Sequence, residues 1–267
     1  MTMPIDLVLV RHGESEGNLA NRLSREGDPS AFTDEFRKRH SSQWRLTDRG
    51  RAQARVAGNW IIRNIGATFD RCYVSEYARA LETAALLNIP DAVWYREFYL
   101  RERDWGQLDI MPHGERFQRF EEEMTRRERD QFFWAPAGGE SMASVCLRLE
   151  RVLETLHREC QDKKVIIVCH GGIVLSLRVR LERMTQRRFH RLDQSRETFD
   201  MIHNCQIIHY TRRDPISGKL AKYVNWVRSV CPWDASLSNN FWQTIERRKY
   251  SNEDLLAELE ETPRLVT

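Results

Sequence analysis

Two histidines stand where apolar runs stop. Leu7-Val8-Leu9-Val10 leads directly into Arg11-His12-Gly13-Glu14-Ser15-Glu16-Gly17-Asn18, and Val165-Ile166-Ile167-Val168-Cys169 leads into His170-Gly171-Gly172. Three chemistries compete for the first segment. Gly13-Glu14-Ser15-Glu16-Gly17 fits the G-x-S-x-G nucleophile elbow of serine hydrolases, but that fold draws part of its oxyanion hole from an earlier loop, for which fifteen residues leave no room. A phosphate cradle of the G-x-x-x-x-G-K-[ST] type is absent from the chain. The third reading makes His12 the reactive group and Arg11 an anion clamp, and it requires a second His and further Arg from elsewhere.

Those residues are present. Phe69–Ser75 reads as a strand and Glu76–Leu87 as the helix after it, so Arg79 falls in a first turn, where backbone N–H groups also favour an anion. Alone, Arg79 would be read as a surface residue, and His170 as an incidental part of a strand-to-helix turn. Gly171 and Gly172 let the backbone approach a ligand and expose N–H donors there. The eight His and six Cys show no H-E-x-x-H, C-x-x-C or finger spacing, so no metal or other cofactor is expected. The scattered cysteines read as buried free thiols of a reducing compartment.

The elements that must hold these groups alternate. Leu7–Val10 and the aliphatic run at 165–169 suit strands covered on both faces of a parallel sheet, whose carboxyl ends are the usual place for a ligand in α/β folds. Thr47 or Asp48 caps a helix running towards Asn64. Residues 19–43 read as a loop with a short helix near 31–40, 93–95 as a short strand, 114–133 as a charged helix, 141–160 as a long amphipathic helix, and the segment after His170 as a helix to Met184. Segments 206–210 and 223–227 read as an antiparallel hairpin about Pro215 and Gly218, and 251–259 as a short capped helix.

At 267 residues, with 41% hydrophobic and 30% charged residues, the composition is that of a globular protein rather than a disordered one. No apolar run approaches the roughly 20 residues of a bilayer span, and the first residues lack a signal-peptide pattern, so a cytoplasmic protein without membrane contact is expected. A net charge of +3, with the Arg of 101–129 interleaved with Glu, argues against nucleic acid as a partner.

Taken together, Arg11-His12-Gly13-Glu14 with Asn18, Ser75 with Arg79-Ala80 and Thr83-Ala84, Glu102 with Gly106, Gly138-Gly139-Glu140-Ser141, and His170-Gly171-Gly172 resemble the histidine phosphatase superfamily, also called phosphoglycerate mutase-like. The resemblance covers residues 5 to about 210. It implies an α/β three-layer sandwich with a mostly parallel central sheet flanked by helices, with room for an antiparallel edge strand. The chain then divides into a 1–211 α/β domain and a 212–267 extension, whose aromatics are expected to dock on the core or on a second copy in a homodimer.

The same resemblance implies a small-molecule phosphate ester as substrate and His12 as the nucleophile that becomes phosphorylated. Arg11, Asn18, Arg79, His170 and Gly171 would hold the phosphate. Such a set suits phosphoryl transfer, which is mostly positioning and charge stabilisation, and the Arg residues make a metal unnecessary. Their charges should also keep His12 neutral. Glu102 would serve as acid and then base, aided by partial burial beside Trp105, and is preferred to its rivals Asp104 and Glu97 because Gly106 lies four residues on, as in the family pattern. Asp109 and Ile110 stand where many members carry a second Gly, leaving the pocket's outer wall undefined. The stretch between Glu102 and Gly139 is shorter than the mutase insertion, and Arg101–Gly106 looks like the plant and fungal phosphatase-type branch. Phosphatase is therefore the expected activity, with a mutase and a non-catalytic phospho-ligand binder as alternatives. Segments 19–43 and 105–134 are the expected selectivity elements.

Overall fold

The structure, a computed structural model, describes residues 2–195, 197–260 and 262–266. Its centre is one seven-stranded sheet made of β1 (Asp6–Arg11), β2 (Arg71–Val74), β3 (Trp94–Arg96), β4 (Lys164–Cys169), β5 (Ile207–Thr211), β6 (Trp226–Val230) and β7 (Asn239–Thr244). Their spatial order is β3-β2-β4-β1-β5-β6-β7. Pairing is parallel from β3 through β1 and antiparallel from β1 through β7, so the antiparallel side runs to three strands beyond β1.

Alternation along β1 builds two cores from one strand. Leu7 and Leu9 pack with Val165 and Ile167 against α7 (Met142–Glu159) and α8 (Gly171–Leu181), whereas Val8 and Val10 pack with Ile166 and Val168 against α3 (Asp48–Asn64) and α4 (Ala78–Leu86). All eight strand side chains are fully buried, each worth about 1.5–3 kcal/mol in transfer terms. This is the three-layer arrangement. Among the described residues all six cysteines are buried free thiols, and no helix is long and apolar enough to cross a membrane.

The register then aligns the strand ends. Arg11 pairs with Cys169 and Val74 with Val168, and the ladders continue one step through His12 N–H to Cys169 O (2.9 Å) and Ser75 N–H to Val168 O (3.0 Å). His12, Ser75 and His170 therefore emerge side by side.

Several elements differ from the sequence reading. The 19–43 stretch is not mainly loop: α1 (Glu16–Arg25) opens it and α2 (Asp34–Lys38) follows. Ser15 caps α1 in a reciprocal box with Asn18, and Gly17 is required inside the helix because a Cβ there would lie 2.3 Å from the Trp44 ring. A burial stripe limited to Gly17 and Ala20 gave little periodicity to read. The charged helix is split into α5 (His113–Arg119) and α6 (Glu121–Arg129), because Phe120 leaves helical geometry (φ −133°, ψ 41°) and packs with Trp105 on a cluster of Leu108, Met111, Met124 and Trp134. After α8 the chain turns at Arg183 (φ +50°), and Thr185 caps a separate α9 (Gln186–Gln194). β6 lies three residues later than expected, and β7 is added outside it; its Asn-, Gln- and Thr-rich sequence is largely exposed. α10 (Asn252–Glu260) follows.

Candidate active site

His12 is 2% exposed, and its two ring nitrogens have different partners. Nδ1 lies 2.7 Å from the Gly13 carbonyl oxygen, which can only accept, so Nδ1 carries the proton. Arg79 Nε donates to Nε2 at 3.1 Å, which makes Nε2 the lone-pair nitrogen. Both neighbours thus enforce the same neutral tautomer. Burial first, then the charges of Arg79 and Arg11, push the imidazole well below its ordinary value. The neutrality expected from the Arg residues is present, with desolvation as its larger cause.

Arg79 sits in the first turn of α4 as anticipated, buried, over the Tyr77 ring at 4.8 Å and donating to Ser41 O at 2.6 Å. Gly13 N–H donates to Thr83 Oγ1 (3.1 Å), tying the loop after β1 to the same helix. Arg11 donates to Ile202 O, while its Nε is buried with no partner among the described residues. His170 is fully buried, with its ring centroid 5.1 Å from that of His12 and its Nε2 2.7 Å from Ser75 Oγ. Its Nδ1 also lacks a partner among the described residues. Burial and the charges around it, Arg79 foremost, push His170 well below the usual imidazole range. Unmatched buried polar atoms cost about 1–3 kcal/mol each, so a site that keeps two of them is shaped for a ligand that satisfies them.

Glu102 is anchored through its backbone and both oxygens. Glu140, from the Gly138–Ser141 motif, pairs with Arg101 and Arg148 at 2.8 Å each, and Arg148 in turn donates to the carbonyls of Arg101 (2.9 Å) and Glu102 (3.2 Å). The Glu102 carboxylate accepts Arg103 N–H at 2.8 Å and Gly172 N–H at 3.4 Å. A Cβ on Gly172 would lie 2.6 Å from Glu102 Oε1, which explains the second glycine after His170. The rivals are engaged elsewhere: Glu97 accepts Tyr99 N–H and Asp104 accepts Gly106 N–H. Trp105 lies beneath Arg103 (4.6 Å) and Arg127 (5.4 Å), so its ring faces guanidinium groups.

Asn18 Oδ1 accepts from Ser15 N–H, Ser15 Oγ and Asn204 Nδ2, which leaves its amide nitrogen as the donor available to a ligand. Gly171 opens α8 against Arg11. Asn204 and Ser75 are supporting residues that carry no assigned role in the sequence reading. Asn204 Nδ2 also donates to His12 O (3.1 Å), and Trp233 Nε1 holds Asn204 O at 2.6 Å. A lone Asn before a strand gives no signal for this.

Arg11 faces two clefts. One, of about 340 Å³, contains Glu102, Arg103, Gly171 and Gly172. The other, of about 750 Å³, is walled by α1 and by the 105–127 segment, including Asp109. Burial pushes the Asp109 carboxyl up to about 6. Among the described residues no three His, Cys, Asp or Glu side chains are grouped as metal ligands would be.

Residues 7–209 match the family model of the histidine phosphatase superfamily, branch 1. A 2,3-bisphosphoglycerate-dependent phosphoglycerate mutase of Parvibaculum lavamentivorans is 33% identical over 193 residues, covering 69% of this chain and 83% of the relative. One from Methylobacterium sp. strain 4-46 is 31% identical over 185 residues, covering 67% and 81%. Among solved structures, a mycobacterial glucosyl-3-phosphoglycerate phosphatase superposes with a TM-score of 0.59 at 22% identity, covering 77% of this chain and 90% of its own. The α-ribazole phosphatase of Shigella flexneri gives 0.60 at 20%, covering 82% and 96%. These structural likenesses speak to the fold.

Proposed function

The chain belongs to the histidine phosphatase superfamily, and from that premise we propose that it is a metal-independent phosphomonoester hydrolase working through a phosphohistidine on His12. The observation that carries this reading is the enforced tautomer of His12, with a protonated Nδ1 on Gly13 O and a lone pair on Nε2 aimed at a guanidinium. An arriving phosphate takes over the Arg79 donor, satisfies the unpartnered Arg11 Nε, and leaves Nε2 free to attack phosphorus. The P–O ester bond breaks as the P–N bond forms, and Glu102 gives its proton to the departing alkoxide. Water then attacks the phosphohistidine, its proton passes to Glu102, and inorganic phosphate leaves. Arg11, Arg79 and neutral His170 carry the charge that develops on the phosphoryl oxygens.

Hydrolysis is favoured over return of the phosphoryl group to an acceptor because two clefts meet at Arg11, which supports a route for water to the intermediate. The mutase reading is kept because relatives about one-third identical bear that name. One assay separates the two: incubation with p-nitrophenyl phosphate, and with 3-phosphoglycerate with and without 2,3-bisphosphoglycerate. Released phosphate in all arms is expected, and isomerised product dependent on the bisphosphate would overturn the hydrolase reading.

A further inference from the structure

The chain beyond the family match reaches the active site from behind. Trp233 lies outside residues 7–209, in a turn that follows β6 and closes on itself. Cys231 N–H donates to Ser238 Oγ (2.8 Å), and Cys231 O accepts from Ser238 Oγ (3.2 Å) and from Asp234 N–H (3.1 Å). The indole packs on the core that contains Val8 and Val10. From there it meets the loop between His12 and Asn18 by two routes.

The first route runs through Asn204. An amide nitrogen carries two hydrogens, and both are in use on Asn204: Nδ2 donates to His12 O (3.1 Å) and to Asn18 Oδ1 (3.0 Å). The backbone carbonyl of Asn204 is the fixed point of this fork, because it accepts Trp233 Nε1–H at 2.6 Å, with the Cys231 thiol a weaker donor at 3.9 Å. The second route runs through Arg49, whose guanidinium lies over the Trp233 ring at 5.3 Å and pairs with Glu14 at 3.9 Å. Glu14 in turn holds the loop through Thr47 Oγ1 (2.9 Å) and through its own N–H on Gln53 Oε1 (2.9 Å). Arg49 is solvent-facing and its contacts are long, so the second route is the weaker. Position is transmitted mainly through Asn204.

We infer that Trp233 is a positioning residue of the phosphoryl site: it holds Asn204 so that the His12 backbone and the Asn18 amide keep their aim at a bound phosphate. The 212–267 extension is then a working part of the site rather than an appendage to it. Indole suits the task because it is a rigid apolar plate with a single donor and no acceptor, so one side chain both fills the space behind the loop and fixes one carbonyl. Trp242, another aromatic of the extension, meets His209 and Arg228 instead. The inference rests on reading the pocket as a phosphate site and does not depend on which acceptor takes the phosphoryl group.

A binding experiment on the full chain tests this apart from turnover. Trp233→Phe keeps a ring against the core and under Arg49 and removes the Nε1 donor. Calorimetric titration with inorganic phosphate is expected to show affinity lowered about three- to tenfold, the worth of one hydrogen bond. The kcat/KM for p-nitrophenyl phosphate should fall by a similar factor, chiefly through KM, whereas Trp242→Phe leaves both unchanged. Asn204→Ala should weaken phosphate at least as much, and adding Trp233→Phe to it should cost nothing further, because the route then ends at the missing amide. Unchanged phosphate affinity in Trp233→Phe, an equal loss in Trp242→Phe, or losses that multiply in the double variant would each overturn the positioning role. Should Trp233→Phe fail to fold, the indole N–H resonance of Trp233 in the unaltered chain serves instead: it is expected to shift as phosphate saturates the site, and an unmoved resonance would overturn the link. These coupled binding losses in a chain that releases no phosphate from esters would count against the hydrolase reading alone.

Discussion

The two sides of the sheet carry different burdens. From β1 through β4 and β2 the strands are parallel, covered on both faces, and all end at the same edge; each is followed by a helix (α1, α8 and α4) whose N-terminus faces that edge. His12, His170 and Arg79 are delivered there together. From β5 to β7 the strand directions alternate and burial declines outward, from a wholly buried β5 to a largely exposed β7 with Phe241 79% exposed. Parallel connection concentrates helix starts and strand ends at one place, whereas antiparallel connection distributes them to both edges. The antiparallel side contributes support instead, through Trp233 on Asn204 and through the Trp242 ring stacked edgewise on His209 at 5.0 Å.

The division can be tested most severely at its centre. His12→Ala should lower turnover of any phosphate ester by at least about 10³-fold while leaving the circular-dichroism melt intact; near-normal activity would remove the site from the parallel edge altogether. Glu102→Gln is expected to cost about 10²- to 10⁴-fold in kcat for an ester with a poor leaving group. The loss should shrink for p-nitrophenyl phosphate, whose leaving group needs no proton. Stability should divide in the same way: Leu9→Ala is expected to cost about 2–5 kcal/mol, and Phe241→Ala under about 0.5 kcal/mol, by urea denaturation.

A further effect is one of pH. His12 and His170 are held well below their unfolded value, so below about pH 6.5 the unfolded chain takes up protons that the folded chain refuses. Stability is therefore complete above about pH 6.5 and falls as pH drops beneath it, by at most about 1.4 kcal/mol per pH unit for each ring. Asp109, raised to about 6, acts with the opposite sign between about pH 4 and 6. Melting temperatures from about pH 7.5 to 5 should decline, more steeply in Asp109→Asn and less in His170→Gln; a flat profile would sever the link between burial and neutrality at the site.

The same contrast explains what the sequence disclosed. Four buried aliphatics in a row ending in Arg11-His12, and five apolar residues ending in His170, are direct traces of two-sided burial at a strand end, so the meeting of the two histidines at one sheet edge was legible. Thr47 announced its helix by capping, and the 141–160 helix, which Ser141 caps, announced itself by its amphipathic spacing. β7 was not legible because an edge strand exposed on most positions has no burial pattern to display, and α1 because Gly17 serves Trp44 rather than a periodicity. The role of Asn204 depends on β5 arriving beside β1 from almost two hundred residues away, which no local spacing encodes.

The alignment of β1 with β4 also sets where this chain can change in length. Arg11 and His12 are adjacent residues on a pleated strand, so one inserted or deleted residue between Asp6 and His12 would exchange the faces they address, turning Arg11 towards α4 and His12 towards α8. Such an indel is expected to abolish the proposed chemistry while leaving the composition almost unchanged. At the 214–218 turn, where Ile216 stands almost wholly in water, an added residue would meet only solvent. Natural variation in length is expected to accumulate at that turn and to be purged from β1.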